Sequence, residues 1–118
     1  AVLARTLGPR HYAQQPLAFG DCVLSVFERR LTIRGMAISL TEKEALVLHL
    51  LATNMDRTVT RTFILRQVWG SDDPYHSKSL DVYLTRIRKH LRLDHRITLT
   101  NMRGHGYCLE LGTCEGNA

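Results

Sequence analysis

The sequence is poor in the residues that mark special classes of protein. Its three cysteines, an odd number without close spacing among 118 residues, argue against a disulfide framework and favour free thiols in a reducing cytoplasm. No apolar run reaches the ~20 residues of a membrane helix, and no signal-peptide pattern appears. Acidic residues are also in the minority, with 11 Asp and Glu against 16 Lys and Arg, a formal net charge of +5. This charge favours a polyanionic partner, either nucleic acid or an acidic membrane surface.

The sequence also lacks the residue groupings of a catalytic or metal site. It contains no Ser-His-Asp or Cys-His signature, and Glu42 and Glu44 lie at a predicted helix start where they have a structural explanation. Four of the histidines lack metal-ligand spacing with the cysteines: His49, His76, His90 and His95. We therefore expect no enzyme activity, no metal and no cofactor.

The length fits one domain, which we expect over residues 17–111. Residues 1–16 are punctuated by Gly8-Pro9 and Pro16 and are interpreted as a linker, and residues 112–118 as a polar, flexible tail. Because the chain begins at Ala1 rather than Met, we expect it to be a piece of a longer protein.

Short β segments are expected at both ends of this domain. Alternating apolar residues and turn pairs predict an antiparallel meander near the start and a hairpin near the end. The meander segments are Leu17–Phe19, Cys22–Val26, Leu31–Ile33 and Ala37–Ser39, and the hairpin strands are Ile97–Thr100 and Tyr107–Leu111.

Three helices are predicted between the strands. The capping box Thr41–Glu44 opens the first helix, which is expected to end near Asn54. Thr60 can cap a second helix, Arg61–Trp69, and Gly70 stops it. Ser77 can cap a third helix that runs to about Leu91. The residues between these last two helices, 71–76, are polar and contain Asp73-Pro74, so they are interpreted as a loop longer than a tight turn.

The third helix is amphipathic, with a basic rather than a mixed polar face. At ~100° per residue the apolar side chains fall in one sector, and the opposite pole is basic with one valine at its centre. The apolar stripe comprises Leu80, Leu84, Ile87 and Leu91; the basic pole comprises Lys78, Val82, Thr85, Arg86 and Lys89, with Arg88 on a flank. Arginine can bind guanine edges or phosphates, and a small apolar side chain can contact thymine methyl groups. A merely solvated face is the alternative. Two shorter helices followed by this one are typical of a helix-turn-helix variant.

The segment Met102–Tyr107, MRGHGY, allows three interpretations. It could be a phosphate-binding loop, a metal site built on His105, or a tight hairpin turn. A nucleotide loop follows a strand and opens a helix, whereas here a strand lies on each side. The hairpin is therefore favoured, with Gly104 and Gly106 supplying positive φ and Arg103 at its edge.

Five segments together resemble the OmpR/PhoB family, the winged-helix DNA-binding domains of two-component response regulators. They are Leu40–Glu44, Val59–Arg61, Val68–Gly70, Leu80–Lys89 and Arg103–Tyr107, in this order and at the family's spacing. The resemblance implies an α+β winged helix-turn-helix fold with an N-terminal antiparallel four-stranded sheet, three helices and a C-terminal β-hairpin wing.

The resemblance also implies partners. These would be double-stranded promoter DNA with tandem direct repeats, a homodimer on that DNA, and an upstream phosphoacceptor receiver domain that this chain lacks, with Ala1–Arg5 as the end of its last helix. The loop over residues 71–76 corresponds to the segment that can touch RNA polymerase. The recognition helix, residues 77–91, would occupy the major groove.

Site residues carry over one by one from the resemblance. Val82 and Arg86, then Arg88, would read bases, and Arg103 would enter the minor groove. The predicted phosphate contacts are Arg61, Trp69, Lys78, Ser79, Thr85, Lys89 and Tyr107. Thr85 replaces a residue that is often basic in relatives, and Asn101-Met102 replaces the usual Thr-Val. Trp69 has a second interpretation, as an anchor that packs at the helix end.

Two alternative functions remain open from the sequence. A winged-helix module can act mainly through contacts with polymerase or a partner regulator. The chain can also be the effector domain of a one-component membrane or ligand sensor.

Overall fold

The computed structural model describes residues 16–112. The predicted helix end at the start of the chain, most of the linker over residues 1–16 and the tail beyond residue 112 lie outside this range. Ten elements follow one another within it. The first four are the strands β1 (Leu17–Phe19), β2 (Cys22–Ser25), β3 (Arg30–Ile33) and β4 (Met36–Ser39).

These four strands form one antiparallel sheet in the order β1-β2-β3-β4. Leu24 pairs with Leu31 and Cys22 with Ile33, so these four apolar side chains lie on the same, fully buried face. Val23 and Thr32 alternate with them and face outward. The predicted meander is confirmed, with strand ends shifted by one residue at most.

The first two helices begin where the sequence predicts; the second also ends as predicted, and the first ends at Ala52, two residues before the predicted Asn54. Helix α1 (Glu42–Ala52) opens with the complete capping box: the Thr41 hydroxyl accepts from the Glu44 N–H, and the Glu44 carboxylate accepts from the Thr41 N–H. Helix α2 (Arg61–Trp69) has Thr60 as its N-cap and ends at Gly70, whose φ of 85° is left-handed.

Helix α3 (Pro74–Leu91) begins earlier than predicted. Its N-cap is Asp73, whose carboxylate accepts from the Tyr75 N–H, and Pro74 occupies the first turn, where a missing N–H has no cost. The prediction of a loop over residues 71–76 and of Ser77 as the cap was therefore wrong. The connection between α2 and α3 consists of residues 70–73, close to the length of a simple helix-turn-helix turn.

A second sheet of three strands, in the order β5-β7-β6, combines the C-terminal hairpin with a short strand from the middle of the chain. The hairpin strands β6 (Ile97–Met102) and β7 (Gly106–Leu111) were predicted, but the two-residue strand β5 (Thr58–Val59) was not. β5 pairs with β7, Val59 opposite Tyr107. A Cβ on Gly106 would lie 2.1 Å from the Val59 carbonyl oxygen, so this position requires glycine.

The hydrophobic core lies between the inner face of the first sheet, the three helices and the wing strands. The apolar stripe predicted on α3 is confirmed, since Leu80, Leu84, Ile87 and Leu91 are all buried. Within residues 16–112, none of the helices is both long enough and apolar enough to cross a membrane. The core therefore holds α3 by one face and leaves its basic pole outside.

Candidate nucleic-acid interface

The outer face of α3 is exposed along its whole length. All five members of the predicted basic pole are exposed, and the apolar Val82 at its centre is 50% exposed. Asp81 is the one acid in the helix, and its carboxylate lies 2.8 Å from the Arg61 guanidinium on α2. Because this charge is paired, the pole presents its cations without a free acid beside them.

Three of the predicted base or phosphate contacts on α3 also have partners within the protein. The Arg86 guanidinium lies 5.5 Å from the Tyr83 ring centre, a cation–π distance. The half-buried Arg88 donates from Nε to the Leu99 carbonyl at 3.4 Å, toward β6. The Thr85 hydroxyl donates to the Asp81 carbonyl, one turn earlier in the helix. Arg86 therefore stays on the exposed face, whereas Arg88 leans toward the wing.

The predicted start of the recognition helix has moved by one turn. With the helix beginning at Pro74, the exposed Lys78 and the partly buried Ser79 lie in its second turn. The first turn now consists of residues 74–76, where Pro74 has no N–H and the Tyr75 N–H donates to Asp73, so this turn has few free N–H groups for a phosphate. Contacts by Lys78 and Ser79 would therefore come from their side chains.

The wing tip is a tight turn that displays Arg103. The His105 N–H donates to the Met102 carbonyl at 2.7 Å, and Gly104 has a φ of 80°. Arg103, Gly104 and His105 are all exposed. Within the part of the chain that the structure describes, no three His, Cys, Asp or Glu side chains lie close enough to hold a metal ion.

Arg61 and Tyr107 contact each other instead of lying free. Arg61 Nη1 donates to the Tyr107 hydroxyl, Nε donates to the Ser77 hydroxyl at 2.8 Å, and Nη2 donates to the Ser77 carbonyl at 2.6 Å. Together with Asp81, these side chains form what we call the Arg61 junction. Tyr107 is buried at 7% exposure. The phosphate contacts predicted for both residues remain predictions.

Trp69 is half-buried within an aromatic group at the end of α2. Its ring stacks on His76 at 6.2 Å and lies 5.9 Å from Tyr83, both on α3. Lys43 Nζ also lies 5.5 Å from the ring centre and donates to the Val68 carbonyl at 3.0 Å. These contacts give Trp69 the packing role that the sequence allowed, and its predicted phosphate contact remains a prediction.

Sequence reasoning missed a second polar junction, centred on Asp94. This carboxylate is 1% exposed and accepts from the Asp21 N–H at 2.8 Å, the Arg96 N–H at 2.9 Å and the Cys22 thiol at 3.4 Å. Burial alone would raise the pKa of Asp94, but these hydrogen bonds and the Arg96 charge lower it overall. We call these four residues the Asp94 junction. It joins the β1–β2 turn to the start of β6, and nothing local to Asp94 in the sequence indicates it.

Two helices and a tight connection that present a basic third helix, flanked by an arginine-tipped hairpin, define a winged-helix DNA-binding domain. Comparison with known proteins agrees. Residues 35–109 match the family described as "Transcriptional regulatory protein, C terminal". The chain belongs to this family, and it is a DNA-binding effector domain of the OmpR/PhoB type. This also confirms that it belongs to a class of transcription regulators and not of enzymes.

Individual relatives give the same result. The chain is 32% identical to the transcriptional regulatory protein RprY of Bacteroides fragilis, over 92% of this chain and 46% of that protein. The chain thus spans about half the length of the curated relatives that it matches. The DNA-binding domain of CpxR from E. coli has the same fold, with a TM-score of 0.73 at 22% identity over 84% of this chain and 99% of that one. The effector domain of BfmR from Acinetobacter baumannii is 28% identical, with a TM-score of 0.64 over 84% and 93%.

Proposed function

We propose that this domain binds promoter DNA sequence-specifically, with α3 in the major groove and the wing in the minor groove. The observation that carries the proposal is the exposed basic pole of α3, whose neighbouring acid, Asp81, is paired with Arg61. Val82 and Arg86 would read bases, followed by Arg88, because Val82 and Arg86 lie on the exposed face. Arg103 would enter a narrow minor groove, where the negative potential is strongest.

Phosphate contacts would come from the rim of this surface. Lys78, Thr85 and Lys89 are exposed on α3, and Ser79 lies beside them. Such contacts fix the register of the domain on the duplex and carry no sequence information directly. Added salt is therefore expected to weaken binding steeply, because each neutralised phosphate releases counterions.

For the whole protein we propose an upstream receiver domain and a dimer on tandem direct repeats. The chain spans about half the length of its relatives, which leaves room for such a domain. Residues 71–73 and the first turn of α3, where Tyr75 is 74% exposed, would contact RNA polymerase. A longer chain that contains the upstream residues is needed to test both points.

The first experiment selects bound duplexes from a random pool and titrates them by gel shift. Arg86→Ala is expected to weaken binding by ~1–3 kcal/mol and to relax the preference at one base pair. Arg103→Ala is expected to weaken sites with an A·T-rich flank most. Arg30→Ala is the matched control, because Arg30 is an exposed arginine on β3 whose one ion pair among residues 16–112 is with the exposed Glu28.

Equal affinities for the wild type and both variants would contradict these roles. If no duplex is enriched, and the domain instead retains polymerase or another regulator from nuclease-treated extract, the domain acts mainly through protein contacts.

A further inference from the structure

The Arg61 junction connects the two parts of the molecule that are proposed to touch DNA. Arg61 lies on α2, its Ser77 and Asp81 partners lie on α3, and its Tyr107 partner lies on β7 of the wing. Ser77 directly precedes Lys78, and Asp81 directly precedes Val82. Tyr107 directly follows Gly106, the residue after the wing turn. One side chain therefore links the major-groove surface to the wing.

The geometry of this junction depends on a guanidinium group. Its three nitrogens donate to three different acceptor atoms: Nε and Nη2 to the hydroxyl and the carbonyl of Ser77 on α3, and Nη1 to the Tyr107 hydroxyl on the wing. Arginine holds these donors in a rigid planar fork, whereas lysine has a single ammonium on a flexible stem. A lysine at position 61 would keep the positive charge but could not donate to all of these acceptor atoms at once.

The junction is poorly placed to contribute much stability. The side chains of Arg61 and Asp81 are 31% and 62% exposed, and ion pairs in water contribute little to the free energy of unfolding. Its contacts instead restrict how the wing lies against α3. A second link between them, from Arg88 Nε to the Leu99 carbonyl, is longer, at 3.4 Å.

We propose that Arg61 is a positioning residue that fixes the wing against α3, and thereby sets the base-pair spacing at which Arg86 and Arg103 bind one duplex together. The proposal rests on the proposed function, because it concerns how the two DNA contacts are coupled. If the wing is held rigidly against α3, the distance between Arg86 and Arg103 is fixed. Both side chains can then reach their base pairs on one duplex only when those base pairs are separated by the matching distance.

The test uses this chain and a duplex that the wild type selects from a random pool. Each base pair of this duplex is substituted in turn and the affinity is measured. Base pairs whose substitution lowers the affinity of the wild type but not of Arg86→Ala define the α3 segment. Those whose substitution lowers the affinity of the wild type but not of Arg103→Ala define the wing segment. A second duplex carries one additional base pair between the two segments. The wild type is expected to lose about 5- to 100-fold in affinity for it, because one of the two contacts is lost.

Arg61→Lys and Tyr107→Phe are expected to bind the parent duplex more weakly and to lose most of this discrimination. Tyr107→Phe removes only the hydroxyl that accepts from Arg61 and keeps the buried ring, so the fold is preserved if Arg61→Lys proves unstable. Arg66→Lys is the matched control: it makes the same change on the same helix, where Arg66 is exposed and pairs with Asp72 outside the junction. The proposal is overturned if Tyr107→Phe discriminates between the duplexes as strongly as the wild type.

A measurement without DNA separates this proposal from the proposed function. Residual dipolar couplings of α3 and of the wing strands are expected to fit one alignment tensor in the wild type and in Arg66→Lys, and two different tensors in Tyr107→Phe. If no duplex is enriched, the proposed function fails, and a single shared tensor in Tyr107→Phe overturns the positioning role by itself.

Discussion

The two sheets are joined to the rest of the molecule by polar junctions of different kinds. At the first sheet, the buried Asp94 carboxylate collects two backbone N–H groups and a thiol. At the wing sheet, the half-exposed Arg61 guanidinium distributes its donors over α3 and β7. When a buried acceptor is removed, its donors are left unsatisfied, whereas the partners of a partly exposed cation can bond to water instead. The Asp94 junction therefore mainly stabilises the fold, whereas the Arg61 junction mainly orients the wing against α3.

Each sheet also has a glycine in tight contact, Gly20 in the β1–β2 turn and Gly106 at the start of β7, and the two differ in what they touch. A Cβ on Gly20 would lie 2.9 Å from an Asp94 oxygen and from the tip of Ile97, both in side chains. A Cβ on Gly106 would lie 2.1 Å from the backbone oxygen of Val59. Side chains can rotate away, whereas moving Val59 requires β5 to separate from β7. The wing sheet should therefore be the less tolerant of the two at its glycine.

The largest effect is expected for Gly106→Ala. The clash with Val59 and the φ of 146° should together cost more than ~4 kcal/mol of the free energy of unfolding, enough to unfold many small domains. Urea denaturation followed by circular dichroism measures this loss. Gly104→Ala is the control, since φ is also positive but nothing lies within 4 Å, and it should cost ~1–2 kcal/mol. Gly20→Ala should fall between them; a cost above that of Gly106→Ala would reverse the comparison.

Removing the Asp94 carboxylate should have the next largest effect. Asp94→Ala leaves three donors without their acceptor and is expected to cost ~2–4 kcal/mol in urea unfolding. Asp72→Ala removes an exposed carboxylate that, within the described part of the chain, pairs with the exposed Arg66 alone, and should change stability by less than ~0.5 kcal/mol. DNA affinity of the folded fraction should be kept in both variants. A selective loss of DNA binding in Asp94→Ala at full stability would assign Asp94 to orientation instead.

Acid should weaken the Asp94 junction in a smaller, graded way. The pKa of Asp94 is lower in the folded protein than its ordinary value of 3.8, so the unfolded chain takes up the proton first as the pH falls. The stabilisation is therefore complete above about pH 4 and is lost below it. Burial also lowers the pKa of His49 from 6.5, which adds a separate loss of stability at less acidic pH. Unfolding titrations of Asp94→Asn should lack the step at low pH and keep the His49 step, whereas Asp72→Asn should show both.

Local sequence signals predicted most of the elements, but one such signal was misinterpreted. The capping box at Thr41 predicted the start of α1, and the glycine after Trp69 predicted the end of α2, because each signal acts on the adjacent helical turn. Asp73-Pro74 was taken for a loop, although an N-cap followed by proline in the first turn also begins a helix. The apolar stripe of α3 fixed its exposed face correctly even with the start misplaced, because periodicity does not depend on the first turn.

Contacts between distant residues could not be predicted in the same way. Strand β5 has two residues and no period, and it exists because it pairs with β7 about fifty residues later. The Asp94 junction joins residues more than seventy positions apart. Arg61 was singled out by the resemblance as a phosphate contact, but its partners on α3 and β7 emerge only when three elements meet. The contacts that position the proposed DNA-binding residues therefore cannot be predicted from a single sequence, because they join residues that are far apart in the chain.

The smallest expected effect is on the chemical reactivity of two buried thiols, Cys22 in the first sheet and Cys108 in the wing sheet. Burial and the Asp94 hydrogen bond raise the pKa of Cys22 to about 12, and burial together with the charges of Glu110 and Asp56 raises that of Cys108. Because the thiolate is the reactive form, both should react with iodoacetamide at pH 8 far more slowly than in urea, and Cys22 more slowly than Cys108. A Cys114→Ser background isolates these two thiols.

Arg61→Lys then distinguishes the junctions through the same two thiols. Cys108 follows Tyr107 on β7, so a loosened wing should expose Cys108 more often and speed its alkylation. Cys22 is held by Asp94 at the other sheet, and its rate should not change. Mass spectrometry of tryptic peptides measures both rates in one sample. Equal acceleration of the two thiols would mean that Arg61 supports global stability, and the contrast between a stabilising and an orienting junction would then be lost.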